Sequence, residues 1–102
     1  MAGDTVDRKN EYIAVFDSGV GGISVLRQLC RELPQERFLY FGDSANAPYG
    51  SRSTEEVRAL TLAAAEKLIT EYPVKALVIA CNTATAAAIE TLRETYRDLI
   101  VI

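Results

Sequence analysis

The chain has 102 residues, of which 49% are hydrophobic and 25% charged, a composition typical of one small globular domain. No apolar run approaches the roughly 20 residues of a membrane-spanning helix, and the polar first ten residues exclude a secretory signal and predict a flexible leader over residues 1–11. A net charge of −3 without a Lys/Arg cluster argues against nucleic acid or an anionic membrane surface as a partner. The two cysteines lie in unlike contexts, which favours a reducing cytoplasm over a disulfide framework.

Three short apolar runs predict buried parallel strands at residues 12–16, 38–41 and 76–80. Helical patterns separate these runs, and a further apolar run at 99–102 indicates the start of another strand. Strand and helix in alternation predict an α/β domain, with a parallel sheet between two layers of helices.

The apolar residues between the strands follow helical spacing. A first helix is expected over 23–33, with Cys30 in its buried face. A second helix begins at a capping box formed by Ser53 and Glu56 and ends before Pro73. A third follows the last complete strand and is packed through its alanines.

Polar clusters follow each of the three complete strands: Asp17–Gly19, Asp43–Gly50 and Cys81–Thr83. If the first strand lies between the other two, a crevice forms beside it at the carboxyl ends of the strands, where ligands bind in such sheets. The segment 44–52 has no periodicity and is expected to run across the surface as a loop.

Cys81 stands where a buried strand turns into a helix. The unpaired N–H groups and the positive end of the helix dipole favour thiolate over thiol there, and they offer an anion-binding position. The chain contains no histidine. Proton chemistry near neutral pH therefore falls to Cys81, to a carboxylate, or to groups outside these residues.

Each cluster also has a purely structural interpretation. Asp17, Asn82 and Thr83 could serve as helix caps, and the glycines after Asp17 could allow a tight turn. The run Gly19–Ser24 nearly fits a dinucleotide-binding fingerprint, with Asp43 as the ribose-binding acid, although serine replaces the third glycine. A cysteine phosphatase is disfavoured, because no arginine follows Cys81 to hold a phosphate.

Three segments, Phe16–Gly22, Asp43–Gly50 and Ala80–Ala86, resemble the N-terminal motifs of the glutamate racemases in order and spacing. Aspartate racemases typically carry a histidine soon after the Cys-Asn-Thr triplet, whereas this chain has Thr85. The resemblance implies a mechanism without cofactor or metal, in which two cysteines exchange the α-proton of glutamate on opposite faces. It also implies a bacterial cytoplasmic enzyme that supplies D-glutamate for peptidoglycan.

By the same resemblance, Cys81 is one proton donor and acceptor, and Asp17 assists it. The residues that the resemblance assigns to binding glutamate are Asp17, Ser18, Pro48, Tyr49, Gly50, Asn82 and Thr83.

The resemblance covers one lobe of a two-lobe enzyme, from residue 12 to residue 102. The second cysteine belongs to the other lobe, so the chain alone is expected to be inactive, with the missing lobe or a second copy in a homodimer as its partner. Two alternatives are a non-catalytic glutamate-binding or interaction module and a nucleotide-binding α/β fragment.

Overall fold

Four parallel strands form the central sheet of the computed structural model, which describes residues 11–19 and 22–102. The strands are β1 (Tyr12–Asp17), β2 (Arg37–Gly42), β3 (Val74–Ile79) and β4 (Ile100–Val101), in the order β2-β1-β3-β4. The α/β class and the central position of the first strand are therefore confirmed. Residues 1–10 of the expected leader, together with Val20 and Gly21 of the glycine run, lie outside the described residues.

In the part of the chain that the structure describes, three α-helices cover the sheet: α1 (Ile23–Glu32), α2 (Thr54–Glu71) and α3 (Asn82–Thr95). Ala14 and Phe16 of β1 belong to the main core with Leu77 of β3 and the inner residues of α2 and α3. The alternate residues Ile13 and Val15 are also buried, as the period of two requires when a sheet has helices on both faces. Among the described residues, no helix is both long and apolar enough to cross a membrane.

The prediction that Cys30 lies in the core is wrong. Cys30 is exposed, and no residue of α1 is fully buried. The half-buried positions of this segment are Leu26, Leu29 and Leu33, so the stripe that faces the sheet passes through Leu29. Successive helical residues are about 100° apart, and a stripe through Leu29 leaves Cys30 on the solvent side.

The segment after β2 also departs from expectation, since it is not a simple surface loop. It contains two short 3-10 turns, at Ser44–Asn46 and Tyr49–Ser51, and the Ala47–Pro48 peptide bond is cis. Tyr49 is only 1% exposed, with its ring 6.1 Å from the ring of Phe16. An aromatic side chain on the loop thus reaches the core under the sheet edge and fixes the loop to it.

The capping box at the start of α2 is confirmed. The Glu56 N–H donates to Ser53 Oγ at 3.1 Å, and the Ser53 N–H donates to the Glu56 carboxylate at 3.4 Å. Hydrogen bonds donated to the Glu56 carboxylate by the Ser53 N–H and the Ser53 hydroxyl lower the pKa of Glu56, because they favour the ionised form.

Replacing the cap residue should therefore weaken the fold. We expect Ser53→Ala to lower the free energy of unfolding by about 1 kcal/mol at neutral pH, as measured by urea denaturation. Because the folded-state pKa of Glu56 is lowered, its share of the stabilisation is lost as the pH falls through the titration of that carboxyl, and the difference should shrink in acid. Ser44→Ala, at an exposed loop position, is the control; an equal loss for both variants would contradict the assignment.

Candidate functional site at the carboxyl ends of the strands

The polar clusters that follow β1, β2 and β3 meet at one edge of the sheet. Asp17 lies opposite Gly42 in the parallel register, and the Asp43 N–H donates to the Asp17 carbonyl at 2.8 Å. On the other side of β1, the Ala80 N–H donates to the Phe16 carbonyl at 2.8 Å, and Cys81 follows as the second residue after the end of β3. The convergence expected from the sequence is thus present.

Asp17 anchors the loop that follows β1. Its carboxylate oxygen Oδ2 accepts hydrogen bonds from the backbone N–H of Gly19 at 3.1 Å and of Gly22 at 2.9 Å, and the residue is only 4% exposed. Burying a carboxylate is unfavourable unless hydrogen-bond donors compensate for the lost water. The backbone N–H groups of Gly19 and Gly22 provide this compensation. Because both groups point at Asp17, they are not free to hold a pyrophosphate, which disfavours the nucleotide-binding alternative.

The carbonyl of Gly19 accepts a hydrogen bond from the neighbouring strand β2. The Tyr40 hydroxyl, at the end of a half-buried side chain in β2, donates to it at 2.9 Å. Burial, and next the negative charge of Asp17, raise the pKa of Tyr40, so the hydroxyl stays protonated as a donor. Gly42 leaves room for this approach, because a Cβ at that position would collide with the Gly19 carbonyl oxygen and lie 3.1 Å from the Tyr40 hydroxyl.

The Cys81 thiol contacts the same loop. Its S–H donates to the Ser18 hydroxyl at 3.3 Å, and the cysteine is partly buried. Cys81 is the N-cap of α3, yet its side chain makes no capping hydrogen bond and the first turn of α3 carries no acidic residue. Neither a side-chain cap nor an acidic residue therefore offsets the positive end of the helix dipole beside the sulfur. This arrangement favours an anion at the start of α3.

A second network orders the loop after β2. The Tyr49 hydroxyl donates to Asp43 Oδ2 at 2.6 Å, the Asn46 amide donates to both Asp43 oxygens at 3.0 Å, and Arg52 Nε donates to the Asn46 carbonyl at 2.9 Å. Burial, followed by the contact with Asp43, strongly raises the pKa of Tyr49. The Tyr49 hydroxyl is therefore committed to the loop, and Pro48 and Gly50 on either side are the exposed residues.

The predicted binding residues thus differ in what they present at this edge. Ser18 is half-buried against the thiol, Asn82 is exposed on the first turn of α3 and Thr83 is half-buried beside it. Asp17 and Tyr49 are buried and bonded within their own loops. Within residues 11–19 and 22–102, no group of histidine, cysteine or carboxylate side chains is arranged to hold a metal ion.

Sequence reasoning missed Tyr40 and Arg52, which shape the site without belonging to a recognisable motif. The only sequence signal for Tyr40 is its hydroxyl, which stands near the carboxyl end of a strand whose side chains from Phe38 onward are otherwise apolar. The hydrogen bond from Arg52 to the Asn46 carbonyl depends on the fold of the loop, and no pattern in the sequence predicts it.

Fold and site together define a parallel α/β domain in which a partly buried thiol meets a glycine-rich loop at a helix N-terminus. No family model matches the chain. Individual proteins do match: the glutamate racemase of Clostridium acetobutylicum is 58% identical over 94 residues, which are 92% of this chain and 36% of that protein.

Solved structures give the same result. A Thermus thermophilus glutamate racemase in complex with β-chloro-D-alanine has a TM-score of 0.85 and 47% identity, covering 90% of this chain and 36% of that one. The Escherichia coli enzyme in complex with L-glutamate and the activator UDP-MurNAc-Ala has a TM-score of 0.86 and 35% identity, covering 90% and 34%. The chain is a homologue of the glutamate racemases over most of its residues, and it spans about a third of the length of the relatives it matches.

The close approach of β2 to the loop after β1 generates a prediction about Gly42. We expect Gly42→Ala to lower the free energy of unfolding by about 1–3 kcal/mol, because the added methyl group displaces the Gly19 carbonyl. Gly50→Ala is a matched control, since a Cβ there meets nothing within 4 Å and should leave stability unchanged or slightly raised. Thermal unfolding followed by circular dichroism measures both, and equal stability of the two variants would contradict the packing described.

Proposed function

We propose that this chain forms one side of the active site of a glutamate racemase and supplies one of its two proton-transfer groups, Cys81. The observation that carries the proposal is the contact between the Cys81 thiol and the Ser18 hydroxyl at 3.3 Å, at the N-terminus of α3. Both residues lie in the part of the chain that is homologous to glutamate racemases.

The polar groups at this edge are complementary to a zwitterionic amino acid. A substrate carboxylate fits the N–H groups and side chains of Asn82 and Thr83 in the first turn of α3. The exposed backbone beside Pro48 and Gly50 gives the opposite wall. The ammonium group is attracted by the negative charges of Asp17 and Asp43, which lie at the ends of β1 and β2 on this same edge of the sheet.

In the proposed reaction, the Cys81 thiolate removes the α-proton of D-glutamate. The C–H electron pair stays on the substrate as a carbanion delocalised into its carboxylate, and the proton forms an S–H bond. A second acid on the opposite face then protonates the carbon to give L-glutamate, and the reverse direction exchanges the two roles. Asp17 assists by fixing the loop that carries Ser18 against the sulfur.

The second acid lies outside this chain. Histidine is absent from the sequence. The other thiol, Cys30, is exposed on α1, eight residues after Gly22 and therefore about 12 Å further along the helix. We infer that a further lobe of the same enzyme provides that acid and closes the crevice. The whole enzyme is then a bacterial cytoplasmic racemase that provides D-glutamate for peptidoglycan.

A non-catalytic glutamate-binding module is the alternative of another class. It would use the same donors for the substrate carboxylate but would not need the thiol. The Ser18 contact favours the racemase, since a partly buried thiol held against a hydroxyl at a helix N-terminus is the environment of a reactive cysteine.

Transplanting the chain into a complete relative tests the proposal. A chimera in which residues 12–102 replace the matching segment of the Clostridium acetobutylicum enzyme, at 58% identity, should interconvert D- and L-glutamate. Cys81→Ala in that chimera should lower kcat by at least about 10²-fold, since a positioned proton-transfer group contributes that much or more. The 102-residue chain alone should produce no L-glutamate from D-glutamate, as measured by chiral chromatography.

Cys30→Ala in the chimera is the matched control, because Cys30 is an exposed thiol on α1, and it should leave kcat unchanged. A folded chimera that keeps full activity with Cys81→Ala would refute the assignment of Cys81. Glutamate binding without any racemisation, in a chimera with both cysteines intact, would favour the binding module.

A further inference from the structure

Tyr40 places a hydroxyl at the site from outside the segments that resemble the racemase motifs. It lies in β2 opposite Val15 of β1, two residues before the end of a strand whose other side chains up to that point are mostly apolar. Its hydroxyl donates to the Gly19 carbonyl across a sequence separation of 21 residues. A single side chain of β2 thus reaches the loop that follows β1.

The Gly19 residue is held at both ends of its backbone. Its N–H donates to Asp17 at 3.1 Å and its carbonyl accepts from Tyr40 at 2.9 Å. Ser18 lies between Asp17 and Gly19, so these two bonds fix the backbone on which its hydroxyl is carried. That hydroxyl is the one that meets the Cys81 thiol.

We propose that Tyr40 is a positioning residue for Cys81: by holding the Gly19 carbonyl, it keeps the Ser18 hydroxyl against the sulfur. Its importance for racemisation rests on the proposed function, whereas its effect on the thiol does not. In the neutral form the S–H donates to the Ser18 oxygen. After ionisation the same hydroxyl can rotate and donate to the thiolate, a charge-assisted hydrogen bond that favours the ionised form.

Loss of the Tyr40 anchor should therefore weaken the stabilisation of the thiolate. The other titratable or charged groups at this edge, Asp17, Asp43, Tyr49 and Arg52, belong to the loop contacts described above. The Tyr40 hydroxyl also lies close enough to the Asp17 carboxylate to interact with it, so a direct effect of Asp17 on the thiol is the competing route. A change in thiol ionisation in Tyr40→Phe reports the displacement of Ser18 only if it disappears when Ser18 is replaced as well.

The experiment measures the rate of alkylation of Cys81 by iodoacetamide from pH 5 to pH 10, in a Cys30→Ser background that removes the other thiol. We expect Tyr40→Phe to slow alkylation roughly three- to fivefold at pH 7 and to move the midpoint of the pH–rate profile upward, the size expected for one hydrogen bond. Ser18→Ala should do the same or more. Adding Tyr40→Phe to Ser18→Ala should produce no further shift, because the two residues act through one contact.

Tyr96→Phe is the matched control, since Tyr96 is a half-buried tyrosine that caps the far end of α3. It should leave the profile unchanged even if it lowers the thermal stability as much as Tyr40→Phe does. An unchanged midpoint in Tyr40→Phe would overturn the proposal. An equal shift from Tyr40→Phe with and without Ser18 would overturn it as well, because Tyr40 would then act by another route. Glutamate takes no part in these measurements, so they can fail while the racemase chimera succeeds, or succeed while it fails.

Discussion

The buried carboxylate of Asp17 is the interaction on which the geometry of the site depends. It accepts hydrogen bonds from two backbone N–H groups, those of Gly19 and Gly22, and so closes the chain on itself between β1 and α1. Burying an ionised carboxylate is unfavourable by several kcal/mol unless it is compensated, and charge-assisted bonds to backbone N–H groups are among the stronger compensations. The loop therefore has one favoured position, and that position determines where the Ser18 side chain lies.

The rest of the site depends on small residues that let the backbone approach closely. A Cβ at Gly22 would lie 2.8 Å from the Asp17 Cβ and 3.0 Å from the Ala80 Cβ, so only glycine allows α1 to begin so near the sheet. The buried alanines of α3, Ala84, Ala87 and Ala88, let that helix pack tightly as well. Together they bring Cys81 to the loop that Asp17 holds.

The parallel pairing and the capping box at Ser53 were predictable, because alternating strands and helices require crossover connections and Ser53 and Glu56 form a strong local pattern. The central position of β1 entered as an assumption, since right-handed crossovers alone allow other strand orders, and the sheet confirms it. The burial of Cys30 was predicted wrongly. A register of leucines one residue away, at Leu29, fits the same helical pattern, and only the actual packing distinguishes the two.

The loop after β2 shows a different limit of sequence reasoning. The lack of periodicity over residues 44–52 suggested a loop that runs across the surface, yet Tyr49 is buried and hydrogen-bonded to Asp43. Whether an aromatic side chain on a loop turns inward depends on a space beside Phe16 that the sheet creates. The contact of Tyr40 with Gly19 likewise forms only after the fold brings β2 beside the loop that follows β1. Residue spacing in the sequence therefore predicted neither this contact nor the burial of Tyr49.

The central claim is that the loop after β1 and the N-terminus of α3 meet at Ser18 and Cys81, and disulfide trapping tests it most directly. The variant Ser18→Cys in a Cys30→Ser background places a second thiol where the Ser18 oxygen now lies 3.3 Å from the Cys81 sulfur. Mild oxidation should then give an intramolecular disulfide, seen as the loss of two hydrogens by intact mass and as a linked peptide on non-reducing digestion. Ser44→Cys in the same background, at an exposed position after β2, should leave both thiols free. If the Ser18→Cys chain also keeps two free thiols under conditions where it is folded, the arrangement described for the site is wrong.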